Sequence, residues 1–592
     1  MRPHSACALA LLLTLGALAP LDAAAKGSLG QGPVEERIAL ERVAVRGFPE
    51  PHTPGAKGVA VPPKVAALLG RRANLNKVHY ERTWLQGAGR PRAILILVPG
   101  FLGGAATFQP LARQLVAATN GSLEVWAIDR RPSQLEDRRG GLLAAEGDPA
   151  SLVAAAQFYF PDRDNRPFAP ASPFPGLEDV DVAGDGVLDP GTVLSDALGG
   201  EQGFVRFSQD DVRFMAHFGI DTYVRDWRIL VKRARKRVGE RGLVLFGGHS
   251  MGTSWAAAFA AYDFDPGPRV RPAYRKIDGL VLLEGGGLRA PLPTAPGRDA
   301  YLARVGALST PGPGAPNVFL PALFGLINVV DLGAGAEVSG AAGTFDPDGP
   351  ALVQRTTLGG TLGLLIQTPA TNRAIVGFFL DDDFSANPAF RASLGFSDDG
   401  PNVYNVDLDA YVPRDPGQTR TWKDIDDPSL PVCGAADDPA LSPGCAILDN
   451  GPRPGPLDPP AVWGVEREVS DLDDLLAVNF GVGNFVEWYF VDGRVSLDFQ
   501  YGRDSSALGD ESLLAVTQNA NVDVPVLCIG GSNGLAPSEA SFADYLGSIA
   551  TRAARQRIEI LEGYAHLDVL TAAENEAVPI LAEWIATLPR RR

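Results

Sequence analysis

Residues 243–258, LVLFGGHSMGTSWAAA, combine a short apolar run, a serine between two glycines and an alanine-rich run. The apolar run, Leu243 to Phe246, is typical of a buried strand, and the alanine-rich run is typical of a helix packed close to a sheet. Gly248 and Gly252 flank Ser250 in the spacing G-x-S-x-G, where the strand gives way to the helix. Such a tight turn strains the serine backbone and needs neighbours without side chains. The stretch therefore predicts a nucleophilic serine on a sharp turn; the alternative is a serine that caps a helix.

Similar apolar runs recur along the chain and predict the other strands of one sheet. Each run is apolar on both faces, which is typical of parallel strands covered by helices on both sides. The predicted strands are 93–98, 123–128, 243–246, 280–283, 524–529 and 558–561. The predicted helices lie between or after them, at 108–119, 221–238, 253–262, 537–555 and 572–588. This alternation predicts an α/β fold with a mostly parallel sheet and right-handed crossovers.

Two long segments interrupt the alternation, and both follow predicted strands. Residues 131–203 are rich in Asp, Pro and Gly, and residues 289–519 are long enough to form a domain of their own. Loops after the strands of an open parallel sheet carry its ligand sites, so we expect both insertions to build a cap over a site. The predicted division is a signal peptide at 1–25, core at 26–130, an insertion at 131–203, core at 204–288, a cap or lid insertion at 289–519 and core at 520–592.

The first 25 residues, MRPHSACALALLLTLGALAPLDAAA, have the composition of a secretory signal peptide. Arg2 precedes a mostly apolar run, and small residues lead up to Ala25, where we expect cleavage. The alternative is an uncleaved membrane anchor, although the apolar run is short and is interrupted by Gly16 and Pro20. We therefore expect a secreted or periplasmic protein with no stable membrane span after cleavage.

Cysteine positions and net charge restrict the compartment and the partners. Cys433 and Cys445 bracket a short loop and are predicted to form a disulfide in an oxidising compartment; the alternative is two reduced thiols. Cys528 lies within an apolar run, which predicts a buried position. The 592-residue chain has a formal net charge of −17, which argues against nucleic acid or an anionic membrane as the main partner.

The stretch 179–189, DVDVAGDGVLD, is similar to a calcium-binding loop. The carboxylates of Asp179, Asp181, Asp185 and Asp189 lie close together around a tight glycine turn and could surround one hard cation. The loop departs from the EF-hand pattern, because an alanine stands at one ligand position and no glutamate closes it. A structural calcium ion and a solvated acidic turn are therefore both expectations for this loop, and no cofactor is predicted to be required.

The G-x-S-x-G turn, with a predicted strand before it and a helix after it, resembles the nucleophile turn of the α/β-hydrolase superfamily, in its serine esterase and lipase branch. The resemblance covers roughly 77–130, 204–284 and 522–588 and leaves both insertions unmatched. It implies an α/β-hydrolase fold, with Ser250 as the nucleophile.

The resemblance also implies an oxyanion hole made of two backbone N–H groups. One belongs to Met251, directly after the nucleophile, and the other belongs to Phe101 in the loop 98–104, VPGFLGG. Many family members have a histidine where this chain has Pro99. The alternative for this loop is a glycine-rich turn without a ligand.

A general base is needed because a neutral serine hydroxyl is a poor nucleophile. The chain has six histidines, and His566 lies in 563–568, GYAHLD, directly after the last predicted strand. The family keeps its histidine there, in the chain order serine, acid, histidine. The resemblance therefore implies His566 as the base; the alternative is a structural histidine.

Two positions compete for the triad acid. The family usually places it after the penultimate strand, where this chain has Asn533, and an amide cannot stabilise an imidazolium ion as a carboxylate does. Some family members carry the acid one strand earlier, and here Glu284 directly follows the strand 280–283 and precedes three glycines. We predict Glu284 as the acid; the alternatives are an acid from an insertion, a serine-histidine dyad, or a purely structural Glu284.

Together these residues imply an exported serine hydrolase that cleaves carboxylic esters, hydrophobic or lipid-like ones, through an acyl-enzyme. Two apolar stretches of the large insertion, 318–330 and 358–366, are expected to line an acyl pocket, to form a lid, or to be plain cap core. An acyltransferase of the same fold is an alternative. A catalytically silent protein that binds hydrophobic ligands is another, suggested by Asn533 and by the size of the insertions. An aspartate nucleophile is disfavoured because the turn carries Ser250.

Overall fold

The fold is described from a computed structural model of the chain. It covers residues 33–160, 203–265, 270–323, 325–356, 358–359, 369–382, 385, 387–397, 402–405, 410–413, 419–423 and 468–590. The predicted signal peptide, the acidic loop 179–189 and the cysteines Cys433 and Cys445 lie outside these residues. Within the described ranges, no helix combines the length and the apolar character that crossing a bilayer requires.

Fourteen strands and fourteen α-helices are formed by the described residues. The strands are β1 (Ile38–Arg46), β2 (Lys77–Leu85), β3 (Ala93–Val98), β4 (Leu123–Asp129), β5 (Leu243–His249), β6 (Gly279–Leu283), β7 (Ala322–Leu323), β8 (Ile327–Asn328), β9 (Phe396–Ser397), β10 (Asn402–Asn405), β11 (Ala410–Pro413), β12 (Trp422–Lys423), β13 (Val526–Gly531) and β14 (Gln556–Leu561). The helices are α1 (Pro63–Leu69), α2 (Gln109–Ala118), α3 (Arg139–Ala144), α4 (Pro149–Tyr159), α5 (Ile220–Val238), α6 (Met251–Ala261), α7 (Arg298–Ser309), α8 (Val329–Phe345), α9 (Asn372–Leu380), α10 (Leu472–Phe480), α11 (Asp492–Asp498), α12 (Ala540–Gly547), α13 (Asp568–Thr571) and α14 (Ala577–Thr587). Short 3-10 turns occupy Glu35–Arg37, Ala105–Phe108, Arg131–Leu135, Asp210–His217, Ala273–Lys276, Leu352–Arg355, Pro388–Phe390, Phe499–Tyr501, Ser506–Leu508, Asn519–Asn521 and Ala553–Arg555.

One eight-stranded sheet forms the centre of the molecule, in the order β1-β2-β4-β3-β5-β6-β13-β14. Strand β2 is antiparallel to both of its neighbours, and all the other pairs are parallel. The prediction of a mostly parallel sheet flanked by helices is therefore confirmed. The six predicted strands are all present, each within three residues of its predicted bounds.

Two strands of this sheet, β1 and β2, were not predicted. Their sequences, IALERVAVR and KVHYERTWL, mix charged and apolar residues, and β1 is half-buried or exposed along its whole length because it lies at the sheet edge. Half-buried strands lack the continuous apolar run by which the buried strands were recognised. The predicted helix 537–555 was too long, since only Ala540–Gly547 is α-helical.

Five of the six parallel strands are buried on both faces, as their composition predicted, whereas β14 lies at the sheet edge and is half-buried except at Leu561. Strands β3, β4, β5, β6 and β13 are buried at every position. Helices α2 and α14 cover one face, and α5 and α6 cover the other. Five alanines of α6 are fully buried, which lets this helix pack close to β3, β5 and β6. Cys528 is also buried, as predicted.

The described parts of the two insertions pack against each other. Helix α8 contacts α3 and α4 of the first insertion and α9 and α10 of the second. A buried ion pair between Arg138 and Glu337 joins α8 to the start of α3, and the Tyr159 hydroxyl donates to Glu337 Oε2 at 2.6 Å. The cap is thus one packed layer contributed by both insertions.

Candidate active site

Ser250 occupies the sharp turn between β5 and α6 that its sequence predicted. Its φ and ψ are 56° and −126°, a conformation that residues with a side chain rarely adopt. The flanking glycines are sterically required, because a Cβ at Gly248 would collide with Gly252, and a Cβ at Gly252 would collide with the Val98 carbonyl oxygen. The Ser250 N–H donates to the Leu283 carbonyl at 2.9 Å, which ties the turn to β6.

Glu284 and His566 form a buried pair beside this turn. His566 Nδ1 lies 2.8 Å from Glu284 Oε2, and both side chains are at most 1% exposed. Because a carboxylate only accepts hydrogen bonds, Nδ1 carries the proton and Nε2 is left as the acceptor. Within the described residues, His566 Nε2 is buried and has no hydrogen-bond partner. It is therefore available to a proton donor that enters the site.

The Glu284 carboxylate is held by the backbone of the loop after β13. The N–H of Gly531 donates to Oε1 at 2.6 Å, and the N–H of Leu535 donates to Oε2 at 2.7 Å. The side chain fills the space above Gly534, where a Cβ would collide with the carboxylate. Burial raises the pKa of Glu284, and these two N–H donors oppose that rise because they stabilise the ionised form.

Asn533, at the position where an acid is usually found, does not take this role in the structure. Its side chain is exposed, and its backbone N–H donates to the Tyr564 carbonyl at 3.0 Å. The carboxylate that contacts His566 comes from β6, the neighbour of β13. The structure thus brings together Glu284 and His566, as the sequence analysis predicted.

His249, directly before Ser250, is hydrogen-bonded to the backbone of His566. Its Nε2–H donates to the His566 carbonyl at 2.9 Å, and the two rings lie 4.5 Å apart between centroids. Burial, together with the neighbouring His566 imidazole, lowers the pKa of His249 to about 3. Burial also lowers the pKa of His566, to about 3, so both imidazoles are neutral at neutral pH.

The loop after β3 lies against Ser250. A Cβ at Gly100 would lie 2.8 Å from Ser250 Cβ, so only glycine allows this approach. Phe101 lines the same cavity as Ser250 and His566. Met251 is the first residue of α6, where the backbone N–H has no partner within the helix. The two predicted oxyanion donors therefore belong to segments that meet at Ser250.

A cavity of about 1100 Å³, its open mouth included, lies between the carboxyl ends of the strands and the cap. Ser250 and His566 line it on the core side. The cap contributes mainly apolar side chains, among them Leu332, Ala336, Leu358, Ile375, Phe379 and Phe390. Of the described residues in the two predicted lining segments, only Leu358 lines the cavity. In 318–330, apolar side chains such as those of Val318, Val329 and Val330 are buried in the cap, whereas Leu326 is 55% exposed.

Two buried charged residues near the site were not singled out from the sequence. Arg130 directly follows β4 and is 1% exposed, and Glu487 lies in the large insertion and is 3% exposed. Their side chains form an ion pair at 2.6 Å beside the loop 99–104. An arginine directly after a predicted buried strand was the available signal for Arg130, whereas Glu487 carried no local signal.

Among the described residues, two clusters offer three ligand groups to a metal ion, and neither lies in this cavity. Glu50, His52 and His217 form the first. The two imidazole rings stack 4.0 Å apart at 14°, and His52 Nδ1 is already paired with Glu50 at 2.8 Å. Stacked rings direct their lone pairs side by side and not toward one point, so this arrangement does not form a chelate. The second cluster is acidic and consists of Asp381, Asp382 and Glu468.

No protein-family model matches the sequence, and no curated protein sequence matches it. Several solved structures are similar at low identity. A putative lipase from Sulfolobus solfataricus is 12% identical, with 93% of this chain and 95% of that chain covered at a TM-score of 0.39. Epoxide hydrolase A from Mycobacterium thermoresistibile is 12% identical, with 87% and 96% covered at a TM-score of 0.32. A peroxisomal α/β-hydrolase from Saccharomyces cerevisiae is 10% identical, with 94% and 91% covered at a TM-score of 0.32.

The topology of the sheet and the turn at Ser250 identify the fold without reference to the sequence identities and TM-scores. The central sheet is mostly parallel with helices on both faces, and a strained serine stands between its fifth strand and the helix that follows. The serine, the glutamate and the histidine follow one another along the chain at the carboxyl ends of their strands. This chain has the α/β-hydrolase fold, with a cap built from two insertions.

Proposed function

We propose that this protein is a serine hydrolase that cleaves carboxylic esters with an apolar acyl group. One observation carries the proposal: the buried 2.8 Å contact between His566 Nδ1 and Glu284 Oε2, beside a strained serine that lines the same cavity as His566. A base held by a carboxylate, next to a serine on such a turn, is the arrangement that serine hydrolases use.

In the proposed mechanism, Ser250 Oγ attacks the ester carbonyl while His566 Nε2 takes its proton. Glu284 stabilises the imidazolium ion that forms. The N–H groups of Phe101 and Met251 donate to the oxyanion of the tetrahedral intermediate. As the intermediate collapses, the C–O bond to the leaving alcohol breaks and His566 returns the proton to that alcohol. Water, deprotonated by His566, then attacks the acyl carbonyl. The bond between the acyl carbon and Ser250 Oγ breaks, His566 returns the proton to Oγ, and the acid is released.

The lining of the cavity supports the proposed substrate class. Apolar side chains from the cap surround the space next to Ser250, and such a lining favours an acyl chain over a peptide. The neutral His566 is ready to accept a proton without prior deprotonation.

The test is hydrolysis of p-nitrophenyl esters, from acetyl to palmitoyl, by the wild type and by Ser250→Ala. Ser250→Ala is expected to lose about a million-fold in kcat, as removal of a serine nucleophile does. The exposed Ser496 offers a matched control, because Ser496→Ala makes the same chemical change away from the site. No turnover and no fluorophosphonate labelling of the wild type would contradict the proposal and favour the silent binding protein.

The same acyl-enzyme also distinguishes the hydrolase from an acyltransferase. Adding an alcohol such as glycerol to the assay should leave acid as the main product if water is the acceptor. A new ester as the main product would identify an acyltransferase instead.

Export remains a proposal drawn from the sequence. N-terminal sequencing of the protein recovered from the periplasm or medium is expected to begin after Ala25.

The proposed disulfide between Cys433 and Cys445 is checked by mass spectrometry before and after reduction. Calcium binding by the loop 179–189 is checked by calorimetry with and without Asp181→Asn and Asp185→Asn.

A further inference from the structure

The loop that carries Phe101 is held by one buried arginine. Arg130 donates from Nη1 to the Pro99 carbonyl at 2.9 Å and from Nη2 to the carbonyls of Gly100 and Gly103 at 3.0 and 2.9 Å. Three carbonyls of a five-residue stretch are therefore turned toward a single side chain.

One of these contacts decides the direction of the Phe101 N–H. The Gly100 carbonyl and the Phe101 N–H belong to the same peptide unit. In a planar trans peptide the C=O and the N–H point in opposite directions. Because the Gly100 carbonyl points at Arg130, the Phe101 N–H must point away from Arg130. Without the hydrogen bond from Arg130 to the Gly100 carbonyl, the peptide unit between Gly100 and Phe101 could rotate.

The loop also needs an external restraint because its backbone is strained. Leu102 has a φ of 55°, in the left-handed region that residues with a side chain avoid. Such conformations persist only where the surroundings impose them. Among the described residues that have a side chain, four have a positive φ, and three of them, Leu102, Ser250 and Glu284, lie at this site.

A segment of the large insertion, residues 484–488, completes the restraint. Its backbone pairs with the loop through four hydrogen-bonded or bridged positions: Gly104 N–H to Phe485 C=O at 2.9 Å, Ala106 N–H to Asn484 C=O at 3.0 Å, Glu487 N–H to Leu102 C=O at 2.7 Å, and the bridge between Gly103 and Val486. The Glu487 carboxylate accepts from Arg130 Nε at 2.6 Å. A buried guanidinium ion needs such a counter-charge, since an unpaired ion in the interior is strongly unfavourable.

We propose that Arg130, held by Glu487 of the insertion, is the positioning residue that directs the Phe101 N–H toward the oxyanion. The inference rests on the proposed function, because it assigns a role to Phe101 in that reaction. The inference also implies that the segment 484–488 stays packed against the loop 99–104. This part of the cap then forms a wall of the oxyanion hole and does not open as a lid.

Two conservative variants test the pair. Glu487→Gln removes the charge and keeps the size, and Arg130→Lys keeps the charge but cannot reach three carbonyls at once. The matched control is Asp226→Asn, which removes the charge from an ion pair of the neighbouring Arg131. That pair is equally buried, at 2.7 Å, and lies away from the loop 99–104.

For Glu487→Gln and Arg130→Lys, we expect kcat to fall by about 10- to 100-fold, because a donor displaced by a fraction of an ångström stabilises the transition state poorly. KM should change by less than about threefold, since neither Arg130 nor Glu487 lines the cavity. The rate constant for fluorophosphonate labelling of Ser250 should fall in parallel with kcat. Asp226→Asn should keep the wild-type kcat at a temperature where all variants are folded. An unchanged kcat in folded Glu487→Gln and Arg130→Lys would overturn the inference. The proposed function would not be affected by that result, because it is tested separately by Ser250→Ala.

A second readout does not depend on turnover. Hydrogen exchange of peptides covering 99–106 should be faster in Glu487→Gln than in the wild type or in Asp226→Asn, because the loop loses its restraint. Unchanged exchange in this segment would overturn the inference even if the wild type had no esterase activity. Thermal unfolding of each variant separates a local effect on the loop from global loss of stability.

Discussion

His566 Nδ1 contacts Glu284 Oε2 at 2.8 Å, although the two residues are 282 positions apart in the sequence. They follow β14 and β6, which are not adjacent in the sheet. The register of the sheet explains how they make contact. Leu283 of β6 is paired with Ile529 of β13, and the N–H of Glu284 donates to the Ile529 carbonyl at 2.7 Å. The carboxylate therefore projects over the loop that follows β13, which is the loop where an acid is usually carried. A carboxylate that follows β6 thus reaches the loop that follows β13.

Replacement of Glu284 by glutamine should abolish most of the catalysis. Loss of the orienting carboxylate from a serine triad lowers kcat about 10,000-fold, and we expect a fall of that order in Glu284→Gln with a small change in KM. The measurement is steady-state hydrolysis of the preferred p-nitrophenyl ester. The control is Asn533→Ala in the same loop, which should keep wild-type turnover because the Asn533 side chain is exposed. The assignment would be wrong if Asn533→Ala, and not Glu284→Gln, lowered kcat.

Gly534→Ala should impair the enzyme without removing any catalytic group. A Cβ at Gly534 would occupy the place of the Glu284 carboxylate, which must then move away from His566. We expect kcat to fall by about 100-fold, the cost of a displacement of about 1 Å in a catalytic group. Gly547→Ala is the matched control, because no atom lies within 4 Å of the added methyl group. Equal activity of the two variants would show that the carboxylate tolerates displacement.

The acid limb of the pH profile should lie below the ordinary pKa of histidine. Burial disfavours the charged imidazolium and lowers the pKa of His566 to about 3, from the usual 6.5. His566 acts as a base only when neutral, so activity is present above its pKa in the folded protein and is lost as the pH falls through that value. We expect kcat/KM to stay level as the pH falls through 6.5 and to decrease only at lower pH.

This profile is measured by titration of released acid, with an acetyl ester, between about pH 4 and pH 9. Thermal unfolding at each pH separates protonation of the site from loss of the fold. A midpoint at or above 6.5 would contradict a desolvated base.

Narrowing the cavity should shift the preference to shorter acyl chains. Ala336 of α8 lines the cavity, so Ala336→Phe places a ring in the space that we assign to the acyl group. We expect kcat/KM for the palmitoyl ester to fall about tenfold or more, and that for the acetyl ester to change less than about twofold. The control is Ala303→Phe, at an exposed position of α7. An equal loss for both esters would place the acyl chain elsewhere.

Much of the core could be predicted because its signals are local. Strands β3 to β6, β13 and β14 are short apolar runs, and the turn at Ser250 is determined by residues within four positions of the serine. His566 was recognised by its place after the last strand. The edge strand β1 and its neighbour β2 were missed because charged residues interrupt their apolar pattern.

By itself, the amino-acid sequence determined the α/β sheet, the strained serine turn and the candidates Ser250, Glu284 and His566. Short-range sequence patterns indicate all of these features, because the periodicity of apolar residues and the geometry of a turn depend on neighbouring residues. Only the tertiary structure decided that Glu284 and not Asn533 contacts His566, because this depends on the register between β6 and β13. It alone also brought Glu487 to Arg130, 357 residues away, because the packing of the cap on the core follows from the shapes of whole surfaces and not from any local pattern.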